Sequence, residues 1–157
     1  MNTDNDTSSL QYEPNWVFPN EQTMISDFSE YKKKENRKWK QRADAIGMVF
    51  PMFTNYDDFK TKLKNAEVVD VTPMFDRLIS NRSHTRSIEE LKSLVSQYYR
   101  PRDVDRIVDG LTTGAAMPMP IIVKGNDGMW IMAGNTRLDA ADILGMSRKA
   151  LLVDLSK

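Results

Sequence analysis

The stretch Met129-Trp130-Ile131-Met132-Ala133-Gly134-Asn135-Thr136-Arg137-Leu138-Asp139-Ala140-Ala141 decides the reading of this chain. An apolar run of strand length stops at a glycine, and a short polar trio then opens a segment in which Leu138, Ala141 and Leu144 recur at helical spacing. The prediction is strand, tight turn, helix. The first N–H groups of a helix have no intrahelical partner and sit at the positive end of its dipole, so such a turn can receive a phosphate or carboxylate. Gly134 permits close backbone approach, and Arg137 adds a planar, permanently charged donor fork. Thr136 with Asp139 reads as a capping pair. An ordinary strand-to-helix turn with a surface arginine fits the same residues, since Gly-x-x-Arg is far weaker than a complete phosphate-loop fingerprint.

On either side the pattern continues. Pro120-Ile121-Ile122-Val123-Lys124 precedes, Gly125-Asn126-Asp127-Gly128 is a hairpin signal, and Gly145 followed by Ala150-Leu151-Leu152-Val153-Asp154 predicts a further strand. This order, with Gly134-Asn135-Thr136-Arg137 at the turn and Ile143-Leu144-Gly145 at the helix end, resembles the ParB/sulfiredoxin-like superfamily. Upstream, Val68-Val69-Asp70-Val71-Thr72-Pro73, Asn81-Arg82 and Ser87-Ile88-Glu89-Glu90-Leu91 look like that family's first strand, its Asn-Pro-Arg-type segment without the proline, and its first helix. The resemblance spans roughly residues 67 to 155.

The resemblance implies a nucleotide-binding, NTP-hydrolysing type of module in a nucleic-acid setting, of the stand-alone sort carried by phages and mobile elements. It implies Gly134, Asn135 and Thr136 as an anion cradle, Arg137 as phosphate clamp, Arg82 as a second phosphate contact, and ATP or CTP with Mg as the ligand. Sulfiredoxins need a cysteine where Asn135 stands, and the chain has no cysteine, which excludes thiol-dependent reduction of sulfinic acids. ParB-type CTP-binding proteins carry an acid and a second arginine at Asn135 and Thr136, so nucleotide choice and hydrolysis are left open. The residues to Lys157 contain no counterpart of a partition protein's helix-turn-helix and dimerisation regions. A small-metabolite kinase of the free-serine type is the alternative from the same superfamily. A non-enzymatic DNA- or protein-binding protein that has lost the nucleotide is the third.

Lys plus Arg and Asp plus Glu both number 22, so overall charge gives no argument for nucleic acid and only its distribution can. That distribution has one strong asymmetry. Between 32 and 42, Lys32, Lys33, Lys34, Arg37, Lys38, Lys40 and Arg42 face a single acid, Glu35, while Met24, Phe28, Tyr31, Trp39, Ala43 and Ile46 form an apolar stripe on a helix predicted from Glu21 to Ile46. Lys33, Arg37 and Lys40 are the candidate DNA contacts, against the alternative of a solvated face, and Trp39 is either a stacking platform or core.

The remaining expectations are structural. Residues 1–15 read as a polar tail, 16–66 as an N-terminal helical extension and 67–157 as the ParB/sulfiredoxin-like domain, giving an α+β fold with a small mixed β-sheet and packed helices. Strands are expected near 67–72, 120–124, 129–133 and 150–154, and helices at 88–98 and 136–144, with others starting at Asn55 and at Arg100-Pro101. Trp16-Val17-Phe18 is expected to pack on the domain or to hold a protein partner. No apolar run of spanning length and no leader pattern occurs, so a cytoplasmic protein without membrane contact is expected. His84, the one histidine, rules out multi-histidine metal sites, and no catalytic constellation stands out; Asp70, Asp76 and Asp139 are the nearest carboxylates by layout.

Overall fold

The computed structural model describes residues 13–32, 36–48, 52–80, 84–96 and 103–156. They form an α+β fold with two small sheets and packed helices. Strand β1 (Asn15–Val17) leads to helices α1 (Glu21–Glu30), α2 (Asn36–Ile46) and α3 (Tyr56–Lys64). Strand β2 (Glu67–Asp70), a 3₁₀ helix (Thr72–Arg77), α4 (Ile88–Val95) and α5 (Val104–Thr113) follow. Then come β3 (Ala116–Pro118), β4 (Ile121–Lys124), β5 (Met129–Ala133), α6 (Asn135–Ile143) and β6 (Lys149–Asp154).

Local chemistry explains where the helices begin. Asn20, Asn55, Ser87 and Asp103 each turn a side-chain oxygen onto the N–H three residues on, at 2.8, 2.9, 3.1 and 3.0 Å, and start α1, α3, α4 and α5. The helix expected from Arg100-Pro101 thus starts at Val104, with Asp103 as its cap. At its far end Gly114 takes a left-handed φ of 83°.

The main sheet has the order β2-β6-β4-β5, with β6 and β4 parallel and the outer pairs antiparallel. Strands β4 and β5 are buried almost throughout, which is why they read as continuous apolar runs rather than alternating ones. One core cluster joins Met24 and Phe28 of α1, Trp39 and Ala43 of α2, and Phe59 and Leu63 of α3 to Ile122, Trp130 and Ile131. The rings of Trp39 and Trp130 meet edge to face at 5.0 Å and 75°. Trp39 is therefore core and not an exposed stacking platform, whereas Ile46, counted in the same stripe, is 45% exposed. A second cluster joins Leu91 and Val95 of α4, Val104 and Leu111 of α5, Met117 of β3 and Ala140 and Ala141 of α6.

Three elements differ from expectation. The strand expected over 67–72 stops at Asp70, because Pro73 has no N–H for a ladder and suits the first turn of a helix; Asp70 Oδ1 accepts from Thr72 N at 2.9 Å. Ala116–Pro118, outside the four expected strands, pairs in parallel with Asn15–Val17, so β1 begins at the last position of the expected tail. The helix does not open on Thr136 as the capping pair Thr136–Asp139 predicts: α6 starts at Asn135 from a left-handed Gly134, and Asp139 is fully buried. Residues 97 and 98 of the helix expected over 88–98 lie outside the described residues. Among the described residues no helix is long and apolar enough to cross a membrane.

Candidate functional site

Strand β5 delivers the chain to Gly134, whose φ of 85° turns it directly into α6. A Cβ on Gly134 would lie 2.7 Å from Arg137 Nη2 and 2.7 Å from Pro120 Cβ. The glycine thus serves a close approach of protein to protein, with the guanidinium of Arg137 folded back over the turn.

A cavity of about 620 Å³ opens on this turn. Gly134, Asn135, Thr136 and Arg137 all line it, so four of the five expected nucleotide-binding residues border one space. Arg82, the fifth, lies outside the described residues, as does Lys33. The facing walls come from elements to which the sequence reading gave no site: Asp27 and Glu30 of α1, Arg106 and Asp109 of α5, and the strand β3. Gly110 on α5 keeps that wall close, since a Cβ there would meet Met117 Cε at 2.8 Å.

The turn is braced from beneath. Ile79 donates to Met129 O and accepts from Ile131 N, both at 2.8 Å, which runs the chain along the outer edge of β5. Ser80 emerges next to α6 and its hydroxyl accepts a hydrogen bond from the buried Asn135 amide. One turn further along α6, Asp139 Oδ1 meets His84 Nδ1 at 2.9 Å, and the imidazole lies against Phe75 with ring centres 4.3 Å apart. Ser80 and His84 are thus both tied to α6, at Asn135 and Asp139. Asn135 turns its side-chain amide to Ser80, and Thr136 is buried.

Arg137 reaches toward α1, where its Nη2 lies 3.7 Å from Asp27 Oδ2; both side chains are largely buried. Of the carboxylates nearest by sequence layout, none lines the cavity: Asp70 accepts from Thr72 N, Asp139 meets His84, and Asp76 is exposed. The cavity instead holds Asp27, Glu30 and Asp109. Among the described residues no group of three or more candidate ligands is arranged to hold a metal ion. One or two carboxylates suffice for a Mg²⁺ whose shell is completed by phosphate oxygens and water.

Of the basic helix face, Lys40 and Arg42 are exposed on α2, and Lys32 places its ammonium 5.9 Å from the centre of the Phe28 ring. Arg37 belongs to α2, but its side chain lies outside the described residues. Compared with known proteins, the chain matches no family model, no curated protein and no solved structure.

Proposed function

We propose that the cavity at the Gly134 turn binds a nucleoside triphosphate, ATP or CTP, together with Mg²⁺, and that the protein is a ParB-like nucleotide-binding module working in a nucleic-acid setting. The observation that supports this is the coincidence of a cavity of about 620 Å³ with the N-terminal turn of α6, where Arg137 and Arg106 also border the space. That volume lies within the range of small-molecule sites. The helix terminus and two guanidiniums offer the donors an anion requires.

Calorimetric titration of ATP, ADP, CTP and GTP, with Mg²⁺, into the protein and into Arg137→Ala tests the reading. Binding of one nucleotide, weakened by at least about tenfold in the variant, is the expected result. Absence of heat with every nucleotide from a folded sample would overturn it.

A small-metabolite kinase is the second reading, favoured by the carboxylates of Asp27, Glu30 and Asp109 in the same cavity, any of which can accept a hydroxyl proton. It requires nucleotide turnover that depends on an added small hydroxyl compound, and free serine is the first to try. DNA contact through exposed Lys40 and Arg42 is compatible with either reading and would be recognised by steep salt sensitivity.

A further inference from the structure

We propose that the unpaired main-chain edge of β3, at Ala116, reads the base of the bound nucleotide and selects adenine, which narrows the ligand to an adenine nucleotide. This rests on the reading above that a phosphate group is received at the Gly134 turn.

Among the described residues β3 pairs with β1 alone, so one of its two edges carries no strand. Met119 N donates to Val17 O at 2.8 Å, which sets the alternation of the ladder. The main-chain groups of Met117 and Met119 face β1, and those of Ala116 and Pro118 face away from it. Proline suits such an edge, because no ladder asks it for an N–H. Ala115, Ala116, Met117 and Pro118 all line the cavity, and Ala116 is exposed. The open edge thus offers the N–H and C=O of Ala116 side by side, with no donor following at Pro118.

The distance from the turn suits a nucleotide. Pro120 Cα would stand 2.8 Å from a Cβ on Gly134, so the chain at Pro120 touches the turn. Ala116 lies four residues earlier in an extended run, roughly 13 Å away at the rise of a strand. A nucleoside triphosphate whose terminal phosphates sit at the turn reaches that far with its base. Ile107, Met117, Pro118 and Met132 border the same cavity and supply apolar surface for the faces of a flat ring.

The pairing pattern then separates the bases. Adenine has an amino donor beside a ring-nitrogen acceptor and nothing further on that edge, so the N–H and C=O of Ala116 satisfy it completely. Cytosine and uracil each add a carbonyl that needs a second donor, and Pro118 has none to give. Guanine adds an amino group that needs a second acceptor, and the next carbonyl on this edge is two residues away, about 7 Å along the strand. A polar group left without its partner costs affinity, which makes the mismatch selective.

The test titrates ATP, GTP, CTP, UTP and tripolyphosphate, each with Mg²⁺, into the whole chain and into Ala116→Pro. Proline at 116 deletes the N–H that faces the cavity and spares the ladder to β1, which does not use it. The unaltered protein is expected to bind ATP at least about tenfold more tightly than each of the other probes. In Ala116→Pro the affinity for ATP should fall about tenfold and that for tripolyphosphate by less than about twofold. A second measurement needs no variant. The triphosphate of 1-deazaadenosine lacks the ring nitrogen that would accept from Ala116 N, and it should bind about tenfold more weakly than ATP. Another base or tripolyphosphate binding as tightly as ATP, full affinity for the deaza analogue, or undiminished ATP binding in Ala116→Pro overturns this inference while leaving an anion site at the turn in place. Absence of binding by every probe overturns the underlying reading, and this inference with it.

Discussion

Nδ1 of His84 lies 2.9 Å from Oδ1 of Asp139, a carboxylate without solvent exposure that belongs to the helix bordering the cavity. Burying a carboxylate is costly unless hydrogen bonds replace the lost water, and the imidazole supplies one of them. His84→Ala removes that donor and the contact with Phe75 together. The expected loss is about 2 kcal/mol in urea unfolding. In a double-mutant cycle with Asp139→Ala the two losses should be clearly less than additive, as two residues sharing one contact require.

Gly134 and Gly114 have nearly the same dihedral, φ 85° and 83°, in very different surroundings. Alanine at Gly114 meets nothing within 4 Å, so Gly114→Ala should cost only the left-handed backbone term, about 1 kcal/mol. Alanine at Gly134 runs into Pro120 and Arg137, and roughly 2–4 kcal/mol is expected for Gly134→Ala. Equal losses in thermal unfolding would show that the close approach at the turn has no energetic weight.

Tyr31 is buried, and burial pushes its phenol from the ordinary 10.0 up to about 12. Unfolding returns the group to its ordinary value. Between pH 10 and 12 the unfolded chain therefore sheds a proton that the native protein keeps, and stability that is complete below pH 10 falls across this window. The two-unit shift corresponds to a loss of about 2–3 kcal/mol by its upper end. In Tyr31→Phe the decline of denaturation midpoint with alkaline pH should be shallower. Tyr56, also raised to about 12, keeps part of the decline in place.

The fragment 67–157 offers a test of how far the N-terminal helices are an addition. Trp39, Phe59 and Leu63 have essentially no exposure, and they share one core with Ile122, Trp130 and Ile131 of the sheet. Removing them bares a face worth about 1.5–3 kcal/mol per large side chain, against a total stability of the same order as a few such residues. The isolated fragment should show no cooperative thermal transition by circular dichroism. A sharp transition would mean that residue 66 marks a real boundary.

The parts of this fold that are legible in the sequence are those whose causes are local. An apolar run ending in a glycine, a Gly-Asn-Asp-Gly turn and four side-chain caps specify β4, β5, α6 and most helix starts within a few residues of chain. Strands β1 and β3 escaped because three residues cannot show a period, and each exists only through a partner far away in the chain. The cap assigned to Thr136 failed because a left-handed glycine already turns the chain into the helix. At the cavity, the turn from Gly134 to Arg137 was legible and the facing wall was not. Asp27, Glu30, Arg106 and Asp109 sit on the less buried sides of amphipathic helices, where polar residues need no explanation, and only the packing of α1 and α5 makes them neighbours of Arg137.

The parallel pairing of β1 with β3 also bears on how the molecule assembles. Asn15 Nδ2 donates to Gly114 O across 99 residues of sequence, and closing a loop of that length carries an entropic cost that only nearly complete packing offsets. Because β3 forms a wall of the cavity, that wall is secured by the longest-range strand pairing among the described residues. A ligand bound against this wall is expected to slow unfolding more than it speeds folding, which folding and unfolding rates measured with and without ATP would check.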